Sequence, residues 1–220
     1  YTGLVSWPGA REGHSLFTLE QVLLFGGAGF GSSGSKGYLN DLWKLSSSLR
    51  WTWLGGSSSI DARGFIDGSV SLKWPGSRRG QVVWTIGDSV AYIFGGEGYL
   101  RWPSNLCAAA SPDGLLEECD GGAACVPRGT CMSNHDAGYL NDLWTLQFTS
   151  SDSPTTFIWD CLGGQVMVDA SSRYSPLGQG LGTSWPGGRI SSAAWTVGAS
   201  GWMFGGIGFA QDGTLGHLSE

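Results

Sequence analysis

The sequence predicts an all-β chain assembled from repeated four-stranded units, and three observations predict it. Glycine (38 of 220 residues) and tryptophan (12) are abundant while charged residues make up only 14%, a poor composition for helices because glycine weakens them. Short β-branched and aromatic runs alternate with turns rich in Gly, Asp and Ser. Three blocks recur in a fixed order along nearly the whole chain.

The first block, Trp-Pro-Gly-x-Arg, stands at 7–11, 74–78 and 185–189, and each Arg is followed six residues on by an aromatic: Phe17, Trp84 and Trp195. An apolar run then leads to Phe-Gly-Gly at 25–27, 94–96 and 204–206. The second block, Gly-Tyr-Leu-Asn-Asp-Leu-Trp, is identical at 37–43 and 138–144, and a degenerate form, Gly-His-Leu-Ser-Glu, occupies 216–220. The third, Trp-x-x-Leu-Gly-Gly, stands at 51–56 and 159–164, each followed by an apolar-Asp-Ala echo at 60–62 and 168–170. From the Gly-Gly to the next Tyr or His is 11 residues in the first and third copies (27 to 38, 206 to 217) and 43 in the second (96 to 139), so the second copy carries a 32-residue insertion at one loop. A fixed pattern with one localised insertion marks stacked supersecondary units.

The strands follow from residue types. Residues 82–86 and 91–94 are β-branched and aromatic, with Gly87, Asp88 and Ser89 turning the chain between them. Gly-Gly at the end of the second strand supplies positive φ and close backbone approach. Asn-Asp before Leu-Trp suits a turn or a strand entrance, since both side chains bond nearby backbone amides. The equivalent aspartates Asp61 and Asp169 read as turn residues, and the fourth-strand Trp as a cover for the outer flank of its unit.

This succession (a polar first strand, a Gly-Gly doublet on the second, an aromatic before the third, a Trp on the fourth) resembles the kelch repeat. The resemblance covers nearly the whole chain outside the insertion and is closest to the long-period repeats of extracytoplasmic and microbial kelch proteins and of galactose-oxidase-like enzymes. It implies a partial kelch-type β-propeller of about two and a half four-stranded blades. Blade 1 and its following loop would occupy 1–73, blade 2 would occupy 74–184 with a Cys-rich insertion at about 99–137, and 185–220 would be the first half of blade 3. Propellers close with about 4–8 blades. The resemblance therefore implies that the remaining blades come from a missing part of the same chain, the alternative being several chains assembled into one ring.

Four of the five cysteines, Cys107, Cys119, Cys125 and Cys131, fall in the insertion. A loop of this length without its own core is expected to be held by two disulfides in an oxidising compartment, with three connectivities open. Zinc is the competing reading, but the spacing lacks paired Cys-x2-4-Cys knuckles. Cys161 reads as a small buried hydrophobe.

Because strands alternate direction, the loops joining strands two to three and four to one share one end of each unit. The functional surface is therefore expected to carry 28–37, 57–74, 97–138 and 165–185. Its candidate ligand contacts are Arg63, Phe65, Asp67, Tyr99, Arg101, Trp102, Arg173 and Tyr174, since Tyr, Trp and Arg anchor interfaces and aromatics beside Asp and Arg suit a sugar ring. Phe65 and Tyr174 also suit a plainer role, packing their loops onto the sheet edges.

The net charge of −6 and the absence of a basic stripe exclude nucleic-acid binding, and no apolar run of about 18 residues spans a membrane. His14 and His217 read as structural, the second packing as the Tyr it replaces, and His135 as a solvated loop residue. No catalytic motif and no cofactor or metal site is read from the chain. The expected function is non-catalytic recognition of a protein or glycan ligand, outside the cell or at its surface. The alternatives are the propeller portion of a galactose-oxidase-like copper enzyme and an intracellular kelch interaction protein.

Overall fold

The computed structural model describes residues 7–66, 73–103, 124–126, 130–132, 137–149, 156–165, 167–176 and 184–220. The chain is all-β: among the described residues there is no helix, and the sheets are antiparallel apart from one short pairing.

The first sheet contains β1 (Arg11–Glu12), β2 (Ser15–Leu19), β3 (Gln21–Phe30), β4 (Lys36–Leu45) and β5 (Trp51–Gly55). After β6 (Gly64–Ile66) and β7 (Lys73–Trp74), the second sheet begins with β8 (Arg78–Arg79), β9 (Val82–Ile86) and β10 (Val90–Gly98). It is interrupted by β11 (Arg101–Pro103) and the hairpin β12 (Ala124–Val126) and β13 (Thr130–Met132), and completed by β14 (Gly138–Thr149) and β15 (Thr156–Gly163). The third copy gives β16 (Arg189–Ile190), β17 (Ala193–Val197), β18 (Ser200–Phe204), β19 (Ile207–Phe209) and β20 (Leu215–His217). The first two sheets have five strands where the sequence predicts four, because the first strand breaks after Glu12 and Arg79. Gly13 and Gly80 take positive φ at the break.

The third Gly-Gly doublet follows a strand end, β18 stopping at Phe204, but the first two lie inside strands. β3 and β10 run through them, with register shifts between Phe25 and Gly27 and between Phe94 and Gly96. Both glycines of each doublet have positive φ, which makes a β-bulge. A Cβ on Gly26 would sit 2.8 Å from the Arg78 carbonyl oxygen, so the bulge also needs glycine for space.

The bulge turns a carbonyl onto the Arg of Trp-Pro-Gly-x-Arg. Arg78 donates to Gly95 O (3.1 Å) and makes a two-pronged pair with Asp142 (2.6 and 2.8 Å), whose Oδ2 also accepts Trp144 Nε1. Arg11, Gly26, Asp41 and Trp43 repeat this arrangement. In the third copy Arg189 pairs with Glu220, the residue in the Asp position of the degenerate block. The Asn-Asp pairs therefore lie inside β4 and β14 and are buried, not at turns or strand entrances. Their work is to satisfy a buried guanidinium and its neighbours.

Asn40 and Asn141 serve the junctions between sheets. Trp74 Nε1 donates to Asn40 O and Asn40 Nδ2 to Pro75 O; Trp185, Asn141 and Pro186 repeat both bonds. Backbone bonds from Gly80 N to Gly13 O and from Ser191 N to Gly80 O hook successive first strands together. The core fills the space between the first two sheets, where Trp159 lies 5.0 Å from Phe25, 5.7 Å from Trp74 and 6.4 Å from Trp144 between ring centroids. The equivalent Trp51 is half-buried, but for Trp159 the outer-flank reading of the fourth-strand Trp is corrected, since that ring is buried between sheets. A ring so placed removes roughly 150–250 Å2 from water, at most about 4–6 kcal/mol.

Candidate functional site

β3 and β5 run the same way, so the loops that follow them emerge at one end of the sheet. Ser32 N bonds Ser58 O across the two loops. Asp61 and Asp169 hold this end in shape. Each takes positive φ, accepts a bond from the backbone N of Tyr38 or Tyr139 at its Oδ1, and donates its own N to the carbonyl of that Tyr.

At the first junction the structure brings together five of the candidate contact residues. The guanidinium carbon of Arg63 lies 5.8 Å from the Tyr99 ring centroid, close enough for a cation–π contact. β11 pairs in parallel with β6, placing Arg101 opposite Gly64 and Trp102 opposite Phe65, and Phe65 also faces Trp74 in register. Phe65 is exposed. Asp67 lies outside the described residues.

Residues not singled out from the sequence complete this junction. Tyr38 meets Tyr99 edge-on at 6.0 Å, and Arg79 lies 5.9 Å from the Tyr38 ring while pairing with Glu97 at 2.8 Å and Glu12 at 3.4 Å. Burial, then a hydrogen bond to Glu97 and its charge, push the Tyr38 hydroxyl up to about 12. The Glu97 hydrogen bond raises the pKa of Arg79, and burial lowers that of Arg63. The signal for Arg79 and Glu97 was their difference from the equivalent residues of the other copies: Glu12 and Ile190 for Arg79, Ala28 and Ile207 for Glu97.

The second junction keeps the frame and changes the filling. Tyr139 meets Phe209, the equivalent of Tyr99, at 5.8 Å. Ser171 stands where Arg63 does, and Ile190 and Ile207 where Arg79 and Glu97 do. Here a cleft of about 450 Å3 opens, lined among others by Gln165, Asp169, Ser171, Arg173, Tyr174 and Gln211. Arg173 and Tyr174 are exposed, their backbone held by a bridge between Arg173 and Trp185. The candidate residues thus divide between two neighbouring places.

Cys107 and Cys119 lie outside the described residues, while Cys125 and Cys131 are Cα partners in the β12–β13 hairpin. Cys161 is half-buried against the core. His14 departs from the reading as a satisfied histidine: its Nδ1 is buried without a partner, and burial, then Arg11, lower its pKa. His217 is exposed, since no described residue stands against it as Tyr99 stands against Tyr38. Among the described residues no helix is long and apolar enough to cross a membrane.

No protein-family model matches the chain, and no curated protein matches it. Among solved structures it is similar to one described as "Structure of YjhT", at 15% sequence identity and a TM-score of 0.33, over 91% of this chain and 60% of that one.

Proposed function

We propose that the chain is part of a kelch-type β-propeller and acts as a non-catalytic recognition module that binds glycans. The ligand would lie on the end bearing the strand two-to-three and four-to-one loops. Successive sheets of one layout, hooked through their first strands, support the propeller reading. So does Phe204, about half exposed where its equivalents Phe25 and Phe94 are buried, which suits a further blade beside it.

The cleft at the second junction carries the functional reading. Sugar hydroxyls both donate and accept, and the cleft offers amides, a hydroxyl, a carboxylate and a guanidinium beside the exposed Tyr174 ring. The disulfides expected of the Cys-rich insertion, in which Cys125 and Cys131 are Cα partners, would suit an extracellular or cell-surface setting. The test is a glycan array, with hits confirmed by calorimetry. Tyr174→Ala is expected to weaken a confirmed glycan roughly tenfold. An array without hits, beside capture of a defined extracellular protein, overturns the glycan reading.

A further inference from the structure

We infer that the cleft prefers a sugar carrying a carboxylate, held by Arg173; this rests on the glycan reading above. Four arginines of the sheets are committed: Arg11 to Asp41, Arg78 to Asp142, Arg79 to Glu97 and Arg189 to Glu220. Arg173 is exposed at the cleft and pairs with no carboxylate among the described residues.

The scaffold does not require this cation. The equivalent residue in the first unit is Phe65, which makes the same backbone pairing: Phe65 opposite Trp74, Arg173 opposite Trp185. The residue after it changes from Ile66 to Tyr174, so the second unit sets a guanidinium next to an exposed aromatic ring at this position.

The neighbours fit one anionic group on an otherwise neutral ring. Gln165 accepts from Asn141 Nδ2 through its Oε1 and donates its backbone N to Asn141 Oδ1, which leaves its Nε2 as a donor at the cleft. Asp169 Oδ1 already accepts the Tyr139 amide, so its second oxygen remains to accept a sugar hydroxyl. A carboxylate on Arg173, hydroxyls on Gln165 and Asp169, and a ring face on Tyr174 together describe a uronic acid.

The experiment compares galacturonate and glucuronate oligosaccharides with their methyl esters and their neutral hexose counterparts, by calorimetry on the whole chain. The acids are expected to bind about tenfold tighter than the esters, the scale of one charge-assisted hydrogen-bonded pair. Arg173→Gln should remove that difference while leaving hexose affinity in place, and Arg173→Lys should restore part of it. Equal affinity of acid and ester, or a preference that survives Arg173→Gln, overturns the assignment while the glycan reading stands. If no member of the series and no array glycan binds, the glycan reading itself falls.

Discussion

The two junctions between successive units are framed by the same residues and filled by different ones. Both carry the Trp-to-Asn carbonyl bond, the Asn-to-Pro carbonyl bond, and the Asp that grips both backbone groups of a Tyr. Inside that frame the first junction holds Arg63, Arg79, Glu97 and Tyr99, a closed cluster of charge and aromatic rings. The second holds Ser171, Ile190, Ile207 and Phe209 and opens a cleft. Repetition within the chain marks what holds the sheets together. Where equivalent positions differ, the frame tolerates the change, and the proposed recognition would use those positions.

The largest effect should come from the repeated residues. Asp142→Ala leaves the fully buried Arg78 guanidinium unpaired, and a loss of about 3–5 kcal/mol in urea unfolding is expected. Asp41→Ala should cost somewhat less, because the Arg11–Asp41 side chains keep 4% and 9% exposure. Glu220→Ala should cost least, its carboxylate being 30% exposed. A reversed order would break the link between repetition, burial and stability.

That network explains what the sequence did and did not disclose. Strands, turns and the insertion were readable because their signals are local: β-branched runs, glycines, and the Asp61 and Asp169 turns. The partner of the Trp-Pro-Gly-x-Arg arginine was not, since Arg78 and Asp142 are 64 residues apart and an Asn-Asp pair taken locally suggests a turn. The available signal was joint recurrence, an Arg and an acid in all three copies with Glu220 standing in for Asp. Loop length singled out Arg63, Tyr99, Arg173 and Tyr174, which the structure places at the two junctions. Arg79, Glu97 and Tyr38 escaped because they sit on strands, where only comparison between copies distinguishes them.

A smaller loss is expected at the frame itself. Trp74→Phe keeps an aromatic ring but removes the donor to the Asn40 carbonyl, at a cost of about 1–2 kcal/mol. Trp185→Phe should cost less, since Trp185 is only half-buried whereas Trp74 packs against Phe157 and Trp159. Equal losses would mean that the bond, and not the packing around it, sets the value of the clasp.

The filling of the first junction can be followed by pH. Tyr38 ionises near 12 in the folded chain against an ordinary value of 10.0. The unfolded chain therefore gives up this proton first. The contribution is intact below pH 10 and is lost as pH rises towards 12. Ultraviolet titration of phenolate formation should show the Tyr38 phenolate forming late. Glu97→Gln should bring its midpoint down without restoring it fully, because burial is the larger cause. An unchanged midpoint would remove Glu97 from the cluster.

The smallest effect should come from moving one junction's filling into the other. Ile190 and Ile207 are Cα partners, as Arg79 and Glu97 are, so Ile190→Arg with Ile207→Glu transplants the ion pair onto the same register. Both isoleucines are half-buried, and an arginine stem can cover much of the same surface. The Arg79–Glu97 pair is itself 38% and 24% exposed, in the range where an ion pair adds little. The double variant is expected to unfold within about 1 kcal/mol of the parent, with a coupling of about 0.2–1 kcal/mol that shrinks in salt. A loss of several kcal/mol would show that the frame does require these positions. The differences between copies would then record packing constraints, and the case for reading recognition from them would fail with the cleft still in place.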